Sequence, residues 1–385
     1  GGLAGAARSP PAGEREGAAA RLAHSTHRSR RGSVGRERTA LRADAKVVLP
    51  TGLPPSVATS PVVLAMQRPM AEALGWPEHD IGLTDLLGNF GHYTKQAGQG
   101  KTWADFGHPE WGSLRLGMAD PATATAGLVS VLTILDPDND GAMSDEELVG
   151  GLAFSQLITT TADETENLLR AYLESDQARA ASSLPAAIPV LERDLAVYAD
   201  ASPHVDLVPI YLREGSTFAD YPYAVLRAPW VDKQRRAVAA KFLEYLRAPE
   251  AKKVYSAAGF RDPSRSAKDI ALLDPNRGFK LEFSGPQRAA SEDELKELMG
   301  TWTALQRPNN ALLALDTSGS MNERVPGTDQ SRLQLVQEAA IQGATVLNDQ
   351  TTIGLWQFSS RLARGADYRE LVPPVTSHDY LYDGA

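Results

Sequence analysis

Short runs of almost unbroken apolar residues, set apart by stretches with helical spacing, constrain this chain more than any other feature. Ser60–Met66, Leu114–Met118, Asp206–Tyr211, Ala311–Leu315 and Thr352–Phe358 are such runs. Apolar runs of this length between turn residues read as buried strands. Helical spacing covers Pro69–Leu74 and Leu83–Phe90, then a helix opened by Asp120-Pro121 and running through Gly127 to Leu132. It returns over Asp145–Thr159, Ala162–Leu173 and Asp232–Leu246. The last of these sets Val238, Phe242, Leu243 and Leu246 on one face with four Lys/Arg around it, which predicts a helix that buries that face. Strands alternating with helices predict an α/β fold with a largely parallel sheet. The strand Ala311–Leu315, helix Leu333–Leu347 and strand Thr352–Phe358 predict the βαβ opening of a separate α/β domain.

Composition bounds the function. With no Cys, the chain has no disulfide, thiolate metal site or cysteine nucleophile. Nothing approaches the roughly 18 consecutive apolar residues of a membrane span. A net charge of −9 argues against non-specific nucleic-acid binding. The charge is uneven: residues 1–50 hold ten Lys/Arg against four acids, leaving 29 against 44 in the rest. Residues 1–46 lack aromatics, so a disordered basic leader is expected there. The expected organisation continues with a domain at 47–261, a polar linker at 262–308 and a partial domain at 309–385.

Asp316-Thr317-Ser318-Gly319-Ser320 follows directly on the apolar strand Ala311–Leu315. A carboxylate and two hydroxyls at alternate positions beyond a strand's carboxyl end make a hard oxygen shell suited to Mg²⁺ or Mn²⁺. The run Leu315–Met321, the helix from Arg332-Leu333 and the strand Ile353–Phe358 resemble the start of a von Willebrand factor A (VWA) domain with its metal-ion-dependent adhesion site (MIDAS). The resemblance implies that Asp316, Ser318 and Ser320 are metal ligands and that the metal recruits a protein partner. It reaches roughly the first half of such a Rossmann-like domain. Asp379-Tyr380-Leu381-Tyr382-Asp383 resembles the family's second loop, with Asp379 where that loop has Thr.

Upstream, Pro55–Met66, His108-Pro109-Glu110-Trp111-Gly112 through Asp120-Pro121, and Pro209–Gly215 resemble an extracellular solute-binding domain of the periplasmic type. The joined order resembles the substrate-binding and VWA proteins of the actinobacterial cell envelope. The resemblance implies an incomplete two-lobed periplasmic-binding-protein-like domain, an extracytoplasmic setting, and a small solute or peptide held between lobes against helix N-termini. Thr59, Ser60, Thr123 and Thr125 are its candidate ligand contacts, with helix capping as the alternative role for Asp120, Thr123 and Thr125.

A third motif stands between these. Asp136-Pro137-Asp138-Asn139-Asp140-Gly141 through Glu147 places acids at loop positions one, three and five, Gly at six, Ser144 at nine and Glu147 at twelve. That is the spacing of an EF-hand-like Ca²⁺ loop, with an acidic surface connector as the alternative. No catalytic pattern emerges: Ser318 has no nearby His, the seven His form no metal-spaced pair, and no phosphate-binding glycine loop occurs. Glu110, Glu214 and Asp220 read as solvated loop carboxylates. The expectation is a non-enzymatic solute-binding and adhesion-type protein with a divalent-metal site, the alternatives being an ABC-transporter-type solute receptor or a calcium-responsive binding protein.

Overall fold

The computed structural model describes residues 50, 52–90, 101–282, 290–307, 310–345, 351–363 and 366–376. The expected leader at 1–46 and the Asp379–Asp383 loop lie outside the described residues. The chain divides into two compact units. One runs to Asp85 and continues through Thr102–Met143 and Ile158–Met299; the other comprises Leu86–Lys101, Ser144–Leu157 and Gly300 onward.

In chain order the described elements begin with β1 (Ser56–Gln67), α1 (Arg68–Ala73), α2 (Leu83–Phe90), β2 (Leu116–Ala119), α3 (Thr125–Leu135), α4 (Asp145–Leu157) and β3 (Ile158–Ala162). Next come α5 (Thr165–Leu173), α6 (Gln177–Ser183), β4 (Ala187–Leu191), α7 (Glu192–Asp200), β5 (Leu207–Ile210) and β6 (Phe218–Pro222). The remainder is α8 (Lys233–Leu246), α9 (Pro249–Ala257), α10 (Glu292–Leu305), β7 (Asn310–Asp316), α11 (Arg332–Thr345), β8 (Thr352–Ala363) and β9 (Ala366–Thr376).

The sheet of the first unit has the order β3-β2-β4-β1-β5, with β6 also paired to β1. It is mixed rather than largely parallel. β2 runs parallel to β3 and β4, while β1 runs antiparallel to β4, β5 and β6. The reason is topological: β4, α7 and β5 form a crossover between two strands of like direction, leaving a gap one strand wide. β1 fills that gap in the opposite sense. Its twelve residues also change partners midway, with Ser56–Pro61 beside β6 and Val62–Gln67 between β4 and β5.

Around this sheet, Val63 and Ala65 of β1, Ile188 and Val190 of β4, and Leu195 and Tyr198 of α7 form one buried cluster. Ala267, Ile270, Leu273 and Phe279 belong to the same cluster, so the expected polar linker at 262–308 contributes core side chains to the first unit. Charge anchors it as well. Arg261, fully buried, donates from Nε to Glu192 Oε2 and from Nη2 to Glu192 Oε1, both at 2.7 Å. Its guanidinium also reaches the carbonyls of Arg265, Leu281 and Lys280. Tyr211 donates its hydroxyl to Glu192 and accepts the Lys280 amide at 3.1 Å. Burial and the Glu192 charge push the Tyr211 phenol well above its usual value. Burial works against the Arg261 charge, and the Glu192 carboxylate more than reverses that, leaving its pKa raised.

Two further expectations change. The helix expected at Asp145–Thr159 ends at Leu157, and Ile158-Thr159-Thr160-Thr161 forms β3, as β-branched residues favour. Helix α8 forms where the spacing predicts, capped by Asp232 accepting from the Arg235 amide at 2.8 Å, but none of its side chains is buried.

The second unit carries the order β7-β8-β9. β7 and β8 are parallel from Asn310↔Thr352 to Asp316↔Phe358, and β9 returns antiparallel to β8. β7 was expected to be buried on both faces. Instead its residues alternate between exposed and half-buried, with Leu312 on the open side, in keeping with α11 packing against β7.

Candidate functional site

The carboxyl ends of β2, β4 and β5 lie at one edge of the first unit's sheet, where β1 changes partners. Register fixes this: Val62 sits opposite Leu191, the last residue of β4, and Leu64 opposite Ile210, the last of β5. Ligands of open α/β sheets bind outside such carboxyl ends. Two helix N-termini open there, α3 after β2 and α7 directly after β4.

The two helix starts differ. Helix α7 begins Glu192-Arg193-Asp194, three buried charged residues. Glu192 is committed to Arg261 and Tyr211, Arg193 pairs with Asp194, and the Arg193 amide donates to Ser60 Oγ at 3.2 Å. Helix α3 has no acidic residue in its first turn and takes Ala124 as its extended N-cap, without a side-chain cap. Its start is packed closely against β2: a Cβ on Gly127 would stand 2.1 Å from the Ala119 carbonyl oxygen. Only glycine admits that approach. Ala126 and Val129 of α3 then bury against Val62, Leu191 and Ala219.

The predicted contacts fall at this edge, though mostly in structural roles. Thr59 donates its hydroxyl to the Asp262 carbonyl at 2.9 Å and exchanges backbone bonds with Arg261. Ser60 is fully buried and serves α7 as above. Thr123 shares its hydroxyl proton between the carbonyls of Asp163, at 2.6 Å, and Asp120, at 3.2 Å. Asp120-Pro121 does not open the helix. Asp120 Oδ1 accepts the Ala122 amide at 2.8 Å and its carbonyl accepts those of Thr123 and Ala124, a turn that ends before α3 begins at Thr125. Thr125 is half-buried at the first helical position.

The three carboxylates read as solvated have distinct places. Glu110 is exposed beside His108 at 3.1 Å, its pKa lowered by its own backbone amide and by that histidine. Glu214 caps α2 from 131 residues away, accepting the Leu83 amide at 2.8 Å. Asp220 is neither exposed nor in a loop: it lies in β6 opposite Thr59, and its Oδ1 is buried without a hydrogen-bond partner. The sequence reading put Asp220 in a loop because β6 itself went unread.

In the second unit, Asp316 ends β7, and Asp316 Oδ1 accepts the Ser318 amide at 2.8 Å. Ser318 Oγ and Ser320 Oγ are 3.1 Å apart. Hydrogen bonds from Ser318 hold the Asp316 carboxyl below its usual pKa, so it is ionised at neutral pH. The turn is tied to β8 by Thr317, whose amide and hydroxyl both donate to the Phe358 carbonyl, at 2.9 and 3.1 Å. One carboxylate and two hydroxyls are thereby brought together.

In the acidic loop, Asp136 is buried and Asp138 is exposed, and each offers a carboxylate oxygen within 4.8 Å of the other. Asp136 Oδ1 accepts the Gly141 amide at 3.4 Å, and Asp140 Oδ1 accepts that of Ala142 at 2.7 Å. Ser144 and Glu147, in the other unit, form a reciprocal cap at the start of α4, Glu147 Oε2 accepting from the Ser144 amide at 2.7 Å and its hydroxyl at 2.8 Å.

A family model described as bacterial extracellular solute-binding protein matches residues 37–261, more than half of the chain. The chain belongs to this family. The match begins ten residues inside the expected leader and ends at Arg261, the buried anchor of the sheet. Solved structures are similar at low identity. The periplasmic thiamin binding protein is 13% identical with a TM-score of 0.42, covering 69% of this chain and 71% of that one. The periplasmic binding protein AfuA from Actinobacillus pleuropneumoniae, with exogenous fructose-6-phosphate bound, is 12% identical with a TM-score of 0.45, covering 74% and 87%. An ABC transporter structure from Clostridium perfringens is 11% identical with a TM-score of 0.41, covering 71% and 76%. No curated protein matches. Among the described residues, no helix is long and apolar enough to cross a membrane.

Proposed function

We propose that this member of the solute-binding family is the extracytoplasmic receptor of an ABC-type importer, and that it holds a small polar or anionic solute against the first turn of α3. The contrast between the two helix starts carries this reading. At α7, Glu192 and Asp194 sit in the first turn and compensate the positive end of the helix dipole. At α3 no acid does so. The amides of the first turn, those of Ala126 and Gly127 among them, have no intrahelical carbonyl to reach, and small side chains flank them. The contribution of this terminus to an anion's binding is about 0.3–2 kcal/mol. The function is binding, with no covalent step.

Proline at a first helical position preserves the helix while deleting one amide donor. Thr125→Pro therefore tests the reading. Calorimetric titration with sugar phosphates, inorganic phosphate and small carboxylates should give at least one ligand whose affinity falls several-fold in this variant. Equal affinity in both proteins would remove α3 from the site.

A second reading applies to the second unit: a MIDAS-like centre in a partial VWA domain, where Asp316, Ser318 and Ser320 hold Mg²⁺ or Mn²⁺ and present it to a protein partner. The 3.1 Å approach of the two hydroxyls beside an ionised carboxylate supports it, a donor set whose chemistry suits a hard cation. A rise in melting temperature with Mg²⁺ that Asp316→Ala abolishes is the expected result. The acidic loop Asp136–Glu147 is proposed as a Ca²⁺ site on its spacing; a Ca²⁺-specific shift lost in Asp138→Asn and Glu147→Gln is its test.

A further inference from the structure

We infer that the face formed by α8 and α9 is a peripheral docking surface for an anionic lipid bilayer. Large apolar side chains are displayed here rather than buried: Trp230 is 64% exposed, Val238 63%, Phe242 50%, Tyr245 60% and Val254 63%. They are ordered among themselves, with the Phe242 ring 6.2 Å from Tyr245 and 5.9 Å from Tyr223.

Charge identifies the occupant. Residues 232–254 carry seven Lys/Arg against Asp232, Glu244 and Glu250, a local net charge of +4 in a chain of net −9. At about 100° per residue, Val238, Phe242 and Tyr245 fall within an arc of about 60°. Arg235 and Lys241 then lie on either side of that arc, and the one acid within α8, Glu244, lies more than about 90° from its centre. Asp232 is paired with Arg235 at 2.7 Å. An apolar stripe with basic flanks and aromatic rings is the pattern of an interfacial helix. Tryptophan and tyrosine favour headgroup depth, and exposed Lys/Arg are drawn to anionic lipid. A second copy of the chain is a poorer occupant, because a two-fold contact would set this positive face against itself.

The test is flotation of the full chain with vesicles of phosphatidylcholine and phosphatidylglycerol in equal parts, against vesicles of phosphatidylcholine alone. The chain should float with the anionic vesicles at least about tenfold better, and high salt should release it. Val238→Ser with Phe242→Ser, and separately Arg235→Gln with Lys241→Gln, should each reduce flotation severalfold. These side chains are exposed, so the melting temperature should stay unchanged. Equal flotation on both vesicle types, no flotation, or charge variants that float like the parent would overturn the inference. So would sedimentation showing a dimer that the Phe242 variant dissociates, since the face would then join two copies.

Discussion

The sheets of the two units treat their apolar residues differently. In the first, α7 and its neighbours cover β1 and β4, and even the charged groups inside, Glu192 with Arg261 and Arg193 with Asp194, are paired in place. In the second, the sheet leaves Leu312, Phe358, Tyr368 and Leu371 exposed, and its polar turn runs from a half-buried Asp316 to an exposed Ser320. The lesson is that an apolar run predicts a strand in both units but predicts burial only where elements cover both faces. The first unit is where substitutions should be costly and where the edge geometry is rigid enough to position a ligand.

Removing one partner of a buried ion pair gives the largest expected effect. Arg261→Ala leaves Glu192 buried and uncompensated and should cost about 3–5 kcal/mol in denaturant unfolding. A loss below about 1 kcal/mol would mean that the residues after 261 are held by packing alone. Gly127→Ala comes next, at about 1–3 kcal/mol, because the new methyl meets backbone rather than a movable side chain.

The third effect depends on pH. Burial alone would raise the Asp85 pKa, but the Gly82 amide, Arg213 and His79 more than reverse it, leaving it lowered. A carboxyl depressed in the folded state stabilises above its unfolded pKa of about 3.9 and loses that contribution as pH falls below it. Asp85→Asn should thus flatten the acid limb of the stability curve by up to about 1 kcal/mol, with little change in its slope above pH about 6. An unchanged acid limb would assign it to other carboxylates, Asp80 beside Lys280 first among them. Smallest of all, Leu312→Ser should stay within about 0.5 kcal/mol of the parent. A cost like that of a core leucine, about 2–5 kcal/mol, would break the contrast between the units.

Much of this architecture is legible in the chain. The apolar runs placed β1, β2, β5, β7 and β8, and the 3.6-residue spacing placed α8 and α11. β4 went unread although Ala187–Leu191 is an apolar run, and β3 escaped because its threonines continue a helical pattern for two residues beyond α4. The candidate edge was legible as a neighbourhood, since Thr59, Ser60, Thr123 and Thr125 all fall near it. What their hydroxyls do was not, because the partners of Thr59 and Ser60 arrive from 203 and 133 residues away. The burial of Ala267, Ile270, Leu273 and Phe279 was hidden for the same reason: a polar stretch interrupted by Pro263 and Pro275 reads as a connector until Arg261 and Glu192 pin it to the sheet.

Hydrogen exchange of the full chain, with and without the solute that titration identifies, tests the central claim most directly. The account predicts slowed exchange at the amides of Thr125, Ala126 and Gly127 when solute is bound, with the amides of Ser318–Met321 unchanged. Protection that appears at Ser318–Met321 and leaves the start of α3 untouched would contradict it.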